Sequence, residues 1–95
     1  MREYDIMLIL DPEADESVVQ AVIDRITGVI SRGGGQVAEL DRWGKRRLAY
    51  QINKLAEGYY LVVRFTAEPE AVAELDRTLT LADDVVRFKV VRRAA

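Results

Sequence analysis

Tyr4, Ile6, Leu8 and Leu10 alternate with Glu3, Asp5, Met7 and Ile9, the spacing of a strand with one face buried. After Asp11-Pro12 the apolar period lengthens. Val19, Val22, Ile23, Ile26, Val29 and Ile30 fall on one face of a helix predicted over Glu16 to Arg32. Asp15 suits its N-cap, and acids crowd the first turn, where the helix dipole favours them. Gly33-Gly34-Gly35 stops it, because glycine takes the left-handed conformation that ends helices without steric cost. Strand spacing returns over Gln36 to Ile52, with a break or bulge expected at Gly44. Asn53 to Gly58 reads as a turn. A third strand follows over Tyr59 to Ala67, with Tyr59, Leu61, Val63 and Phe65 alternating against Tyr60, Val62 and Arg64. Pro69 is set for the first helical position, and Val72, Leu75 and Leu79 line one face of the helix it opens. Val85 to Arg92 closes the chain with Val86, Phe88 and Val90 opposing Arg87, Lys89 and Val91.

The resulting order is β-α-β-β-α-β. Two such halves make an α+β, ferredoxin-like fold: a four-stranded antiparallel sheet with both helices on one face. Residues 1–95 form one domain in this reading, a length suited to a single core. Ile6, Leu8, Ile26, Ile30, Val37, Leu61, Leu75, Leu79, Phe88 and Val90 are expected between sheet and helices. The second and fourth strands lie at the edges, and no helix covers the other sheet face. That face and those edges must meet water or a partner.

Chemistry is limited by what the chain lacks. Cys and His are both absent, which removes disulfides, thiolate or imidazole metal sites and every catalytic dyad built on those residues. No nucleophile-base pair or convergent ligand set can be assembled, so no enzyme activity, no cofactor, no metal and no small-molecule substrate is expected. The first ten residues, MREYDIMLIL, carry only a five-residue apolar run behind Arg2, Glu3 and Asp5, too short for a signal peptide or a membrane span. A cytoplasmic, membrane-free protein is expected.

The net charge of −2 conceals a polarised distribution. Five of the fourteen cations lie between Arg42 and Lys54, including the run Lys45-Arg46-Arg47, and Arg87, Lys89, Arg92 and Arg93 lie on or beside the last strand. Acids gather on the helical side, at Asp11, Glu13, Asp15, Glu16 and Asp24 and at Glu68, Glu70, Glu74 and Asp76. Exposed Lys and Arg on a defined surface are what phosphate contacts need. Charged edges also serve simply to refuse edge-to-edge aggregation, and both readings can hold together. Met7, Ile9, Tyr60, Val62 and Val91 look like a contact patch on the open face, with Trp43 as an anchor or as packing at a strand bend.

Other motifs carry little. The glycine triplet follows a helix, whereas a phosphate loop precedes one and carries Gly-Lys-Ser/Thr. Asp83-Asp84 reads as solvated turn chemistry. An RNA-recognition motif shares the element order, but Glu57-Gly58-Tyr59-Tyr60-Leu61 puts an acid where its cation belongs and Leu61 where its second aromatic belongs. Base stacking by that mechanism is rejected.

Taken in order, Met1-Arg2-Glu3-Tyr4-Asp5-Ile6-Met7, Leu10-Asp11-Pro12, Gly34-Gly35, Trp43-Gly44-Lys45-Arg46-Arg47-Leu48-Ala49-Tyr50, Gly58-Tyr59-Tyr60 and Val86-Arg87-Phe88-Lys89-Val90-Val91 resemble the ribosomal protein S6 family of the bacterial small subunit. The likeness runs from Met1 to about Arg93. It implies a structural, RNA-binding role on the ribosome, in which the protein pairs with ribosomal protein S18 and the pair binds the central domain of 16S rRNA. On that footing the RNA-facing candidates are Arg2, Lys45, Arg46, Arg47, Lys54, Arg87, Lys89, Arg92 and Arg93. The partner-facing candidates are Met7, Ile9, Trp43, Tyr50, Tyr60, Val62 and Val91, with Trp43 to Tyr50 as an edge rail for docking. Arg46 and Arg47 should point to opposite sides of a regular strand and so divide between the two roles. The alternative is a regulatory, effector-binding or protein-interaction domain of the same topology. The acidic, glycine-free Asp11-Pro12-Glu13 loop argues against an anionic metabolite.

Overall fold

The computed structural model describes the backbone of residues 1–52 and 55–93 and the side chains of residues 1–48 and 56–93. Its elements are β1 (Arg2–Leu10), α1 (Glu16–Arg32), β2 (Gln36–Ile52), β3 (Leu55–Ala67), α2 (Pro69–Thr80) and β4 (Val85–Arg92). The sheet order is β2-β3-β1-β4 and each neighbouring pair is antiparallel. This is the ferredoxin-like fold, with β2 and β4 at the edges as expected.

The helix ends follow from local chemistry. The Asp15 carboxylate accepts from the Ser17 hydroxyl at 2.7 Å and from the Val18 N–H at 3.0 Å, and both bonds hold its pKa below the ordinary value. At the other end of α1 the Gly35 N–H reaches the Ile30 carbonyl and the Gly34 N–H the Ser31 carbonyl. These are the two bonds of a Schellman cap, with Gly34 at φ +82°. Pro69 occupies the first turn of α2.

The core lies between the two central strands and both helices. All six apolar residues on the expected face of α1 are buried. So are Tyr4, Ile6, Leu8 and Leu10 on β1, and Leu61, Val63 and Phe65 on β3. Tyr4 stacks on Phe65 at 5.5 Å between centroids. Leu75 and Leu79 seal it from α2. Val37, Phe88 and Val90, expected inside, are only half-buried. They sit on edge strands, where one flank has no neighbouring strand to cover it.

One boundary in the hairpin differs from the sequence reading. β3 begins at Leu55 and not at Tyr59, because β2 continues past Gly44 and gives it a partner: Lys45 lies opposite Tyr59, Arg46 opposite Gly58 and Arg47 opposite Glu57. Of the turn expected over Asn53 to Gly58, residues 55–58 are therefore strand, and 53 and 54 lie outside the described residues. The bulge expected at Gly44 is present, with φ +80° and a shift of register between Arg42 and Gly44. A second shift, between Val37 and Glu39, had no signal in the sequence.

Candidate functional site on the open sheet face

Strand pairing fixes what the helix-free face presents. Tyr4, Ile6, Leu8 and Leu10 point to the helices, so Glu3, Asp5, Met7 and Ile9 point away. Three rows cross the sheet on that side. Gly44, Tyr60, Ile9 and Arg87 lie side by side; next come Asp41, Val62, Met7 and Lys89; then Glu39, Arg64, Asp5 and Val91.

The bulge in β2 supplies the aromatic member. Arg42 is opposite Leu61 and Gly44 is opposite Tyr60, so Trp43 is the extra residue and its ring turns onto the open face. It stacks on Tyr60 with centroids 6.2 Å apart and planes 5° from parallel. Its Nε1–H donates to Asp41 Oδ2 at 2.9 Å. Above this pair, Gly58 lets Ile9 come close. A Cβ at position 58 would run into Ile9 Cγ2 and stand 3.6 Å from Leu48 Cδ2. Leu48 is buried there, although nothing in the sequence reading singled it out; its place two residues beyond Arg46 was the available signal.

Of the partner-facing candidates, Met7, Ile9, Trp43, Tyr60 and Val62 thus form one apolar patch. Trp43 is 43% exposed and Met7 40%. Val91 flanks the patch on β4, opposite Asp5 and 48% exposed. The side chain of Tyr50 and all of Lys54 lie outside the described residues.

The RNA-facing candidates do not gather into one cluster. Arg46 is on the open side and donates from Nε to the Trp43 carbonyl at 3.3 Å. Lys45 and Arg47 alternate with it to the helix side, where Lys45 Nζ lies 3.5 Å from Glu13. Arg46 and Arg47 therefore occupy opposite sides, as the spacing required. Arg87 and Lys89 stand on the open side of β4, opposite Ile9 and Met7. Arg2 and Arg92 lie on the helix side of the strands at the far end, opposite Ala67 and Tyr4. Arg93 lies 3.9 Å from Glu3 and 3.8 Å from Asp5. Arg42, a cation of the same sequence run, straps β2 to α1 by donating to Glu16 and, at 2.8 Å, to Gln20.

Charge along β2 changes sign. Its distal half carries Lys45, Arg46 and Arg47; its proximal half presents Glu39 and Asp41 to the open face. Arg64 in the middle of the face is shared between Asp5 and Glu39, at 3.3 Å from each. The picture of a uniformly basic edge holds for only part of β2. Glu39, Asp41, Trp43, Val62 and Arg64 line a hollow of about 160 Å³ at that edge. Among the described residues no group of three or more acidic side chains is placed to hold a metal ion, and no helix is long and apolar enough to cross a membrane.

Residues 3–92 match the family model described as ribosomal protein S6. The chain is 51% identical to small ribosomal subunit protein bS6 of Carboxydothermus hydrogenoformans, over 97% of its own length and 96% of the relative's. It is 54% identical to the bS6 protein of Beutenbergia cavernae, again over 97% and 96%. The crystal structure of 30S ribosomal protein S6 from Thermotoga maritima superposes with a TM-score of 0.89 at 28% identity, covering 97% of this chain and 87% of that one.

Proposed function

This chain belongs to the ribosomal protein S6 family, and from that premise we propose that it is a structural constituent of the small ribosomal subunit which binds central-domain 16S rRNA together with ribosomal protein S18. The observation that carries the proposal is the open sheet face. It holds a contiguous apolar patch, Met7, Ile9, Trp43, Tyr60 and Val62, with Arg46 at one side and Arg87 and Lys89 at the other. An apolar centre bordered by exposed charge suits a macromolecular contact, and the surface is shallow where a metabolite would need enclosure.

The same geometry supports a division of labour. Arg46, Arg87 and Lys89 stand on the open side with no carboxylate of the described residues within ion-pair distance, which favours them for phosphates. Lys45 and Arg93 are paired to acids of the chain itself and would have to exchange partners before touching RNA. With a net charge of −2, the chain alone has little electrostatic pull on nucleic acid. The pair with S18 therefore forms the RNA-binding unit.

The test is a titration of a central-domain 16S rRNA fragment with this chain, with S18, and with both, at several salt concentrations. Weak binding by the chain alone and much tighter binding by the pair are expected. Equal affinity with and without S18 refutes the heterodimer, and no RNA binding by the pair refutes the ribosomal role.

A further inference from the structure

The proximal half of β2 offers a partner something its basic half does not. The hollow there has an indole on one side and two carboxylates, Glu39 and Asp41, along the strand edge. Among the described residues each carboxylate bonds to one partner. Glu39 Oε2 meets Arg64, and Asp41 Oδ2 takes the indole N–H, which leaves the second oxygen of each for another donor. Trp43 has one ring face against Tyr60 and is 43% exposed. Counting the acids and bases of these two rows and the Glu3–Arg93 end beyond them, Glu3, Asp5, Glu39 and Asp41 stand against Arg64, Lys89 and Arg93, which leaves one net negative charge, with both β2 acids on the hollow and Lys89 across the sheet on β4.

Beside the hollow runs a free strand edge. β2 pairs only with β3 among the described residues, so its outer N–H and C=O groups lack strand partners. On the helix side of the same segment Leu40 is 39% exposed, a large apolar residue at the sheet margin. A strand added here would alternate: a residue over Glu39 and Asp41 on one side, a residue against Leu40 on the other.

From this arrangement we infer that an extended, basic segment of the partner protein adds to β2 along Glu39–Arg42, between its two register shifts, and seats an arginine or lysine side chain in the Glu39–Asp41–Trp43 hollow. A cation on the indole face gains from the ring quadrupole, and paired carboxylates give it charge-assisted hydrogen bonds. The same acids repel a phosphate backbone, so RNA is kept to Arg46 and to Arg87 and Lys89. The inference rests on the protein-partner half of the proposed function and specifies its chemistry.

The experiment measures S18 binding by calorimetry for the unaltered chain, for the isosteric double variant Glu39→Gln/Asp41→Asn, and for Trp43→Ala, with amide hydrogen exchange on the free and bound chain. The side chains are exposed, so all three forms should melt within a few degrees of one another; the double variant keeps the shape of the hollow if Trp43→Ala perturbs it. Each variant should weaken binding about ten-fold, equivalent to about 1.4 kcal/mol. β2 amides between Glu39 and Arg42 should gain protection in the complex. Unchanged affinity in both variants, or no new protection on β2, overturns the inference while leaving the S18 pairing intact. A chain that binds no S18 in any form overturns the pairing and the inference with it. A homodimer, seen by sedimentation and lost in the same variants while S18 binding persists, assigns the hollow to a second copy and overturns it too.

Discussion

Leu8 and Met7 are adjacent in sequence and lie on opposite faces of β1, which makes them the sharpest test of which side of the sheet is inside. Leu8 is fully buried, with Leu61 and Phe88 opposite it on the two neighbouring strands. Leu8→Ala removes three carbons, about 2.4 kcal/mol of transfer free energy at ~0.8 kcal/mol each. The cavity term raises this, because two sheet neighbours held by backbone pairing cannot collapse into the space. A loss of about 3–4 kcal/mol follows. At roughly 2.1 cal/mol/K of unfolding entropy per residue, a chain of this length should melt about 15–20 °C lower. Met7 is 40% exposed, and Met7→Ala should cost less than about 1 kcal/mol. Urea unfolding with linear extrapolation, together with thermal melts, measures both. Equal losses, or a loss below about 0.5 kcal/mol at Leu8, would mean that the faces are assigned the wrong way round.

Gly58→Ala should cost about 1–3 kcal/mol by driving a methyl into Ile9, and Ile9→Ala in the same chain should recover much of it, as a double-mutant cycle in urea would reveal. Arg87→Ala and Lys89→Ala should each lower the slope of log K against log salt for rRNA binding by the S18 pair by roughly 0.7–0.9 and leave the melt unchanged; a slope that stays put excludes a phosphate contact. Asp15→Ala should lose α1 capping in a pH-dependent way. The carboxylate's folded pKa is lowered by the Ser17 and Val18 bonds, so its contribution is full above the unfolded aspartate value and fades as pH falls through the folded one. The gap between the two urea midpoints should therefore be open at neutral pH and close in strong acid.

Most of the architecture was legible because period is a backbone property. The alternation in Tyr4–Leu10 and Tyr59–Ala67 and the helical spacing in Glu16–Arg32 each set a face without knowledge of any neighbour, and those faces are the ones buried. The candidate site was legible to the extent that it shares those strands: the placement of Met7, Ile9, Tyr60 and Val62 on the open face follows from parity alone. β2 was not. With Val37 turned inward, an unbroken strand would turn Glu39, Asp41, Trp43 and Lys45 inward with it. The shift at Ala38 moves Glu39, Asp41 and Trp43 to the open face, and the shift at Trp43 returns Lys45 to the helix side. Only the second carries a glycine to announce it. Ion pairs such as Lys45 with Glu13 join residues distant in sequence and leave no local signal.

Those two irregularities also bear on why β2 can be an open edge at all. Charge alone would not prevent a second copy from docking, because an antiparallel pairing centred near Trp43 sets Glu39 and Asp41 of one chain against Lys45 and Arg47 of the other. The bulge refuses it. Trp43 is unmatched on β3, the strand bends there, and a regular ladder cannot pass through two such bends facing one another. A partner segment that pairs only along Glu39–Arg42 would lie between the two shifts and meet an acidic strip with an aromatic wall. On the inferred docking, protection and recognition become one arrangement: the bulge excludes long, self-complementary edges, and the sign of the charge on each side of it would select a basic polypeptide below and phosphate above.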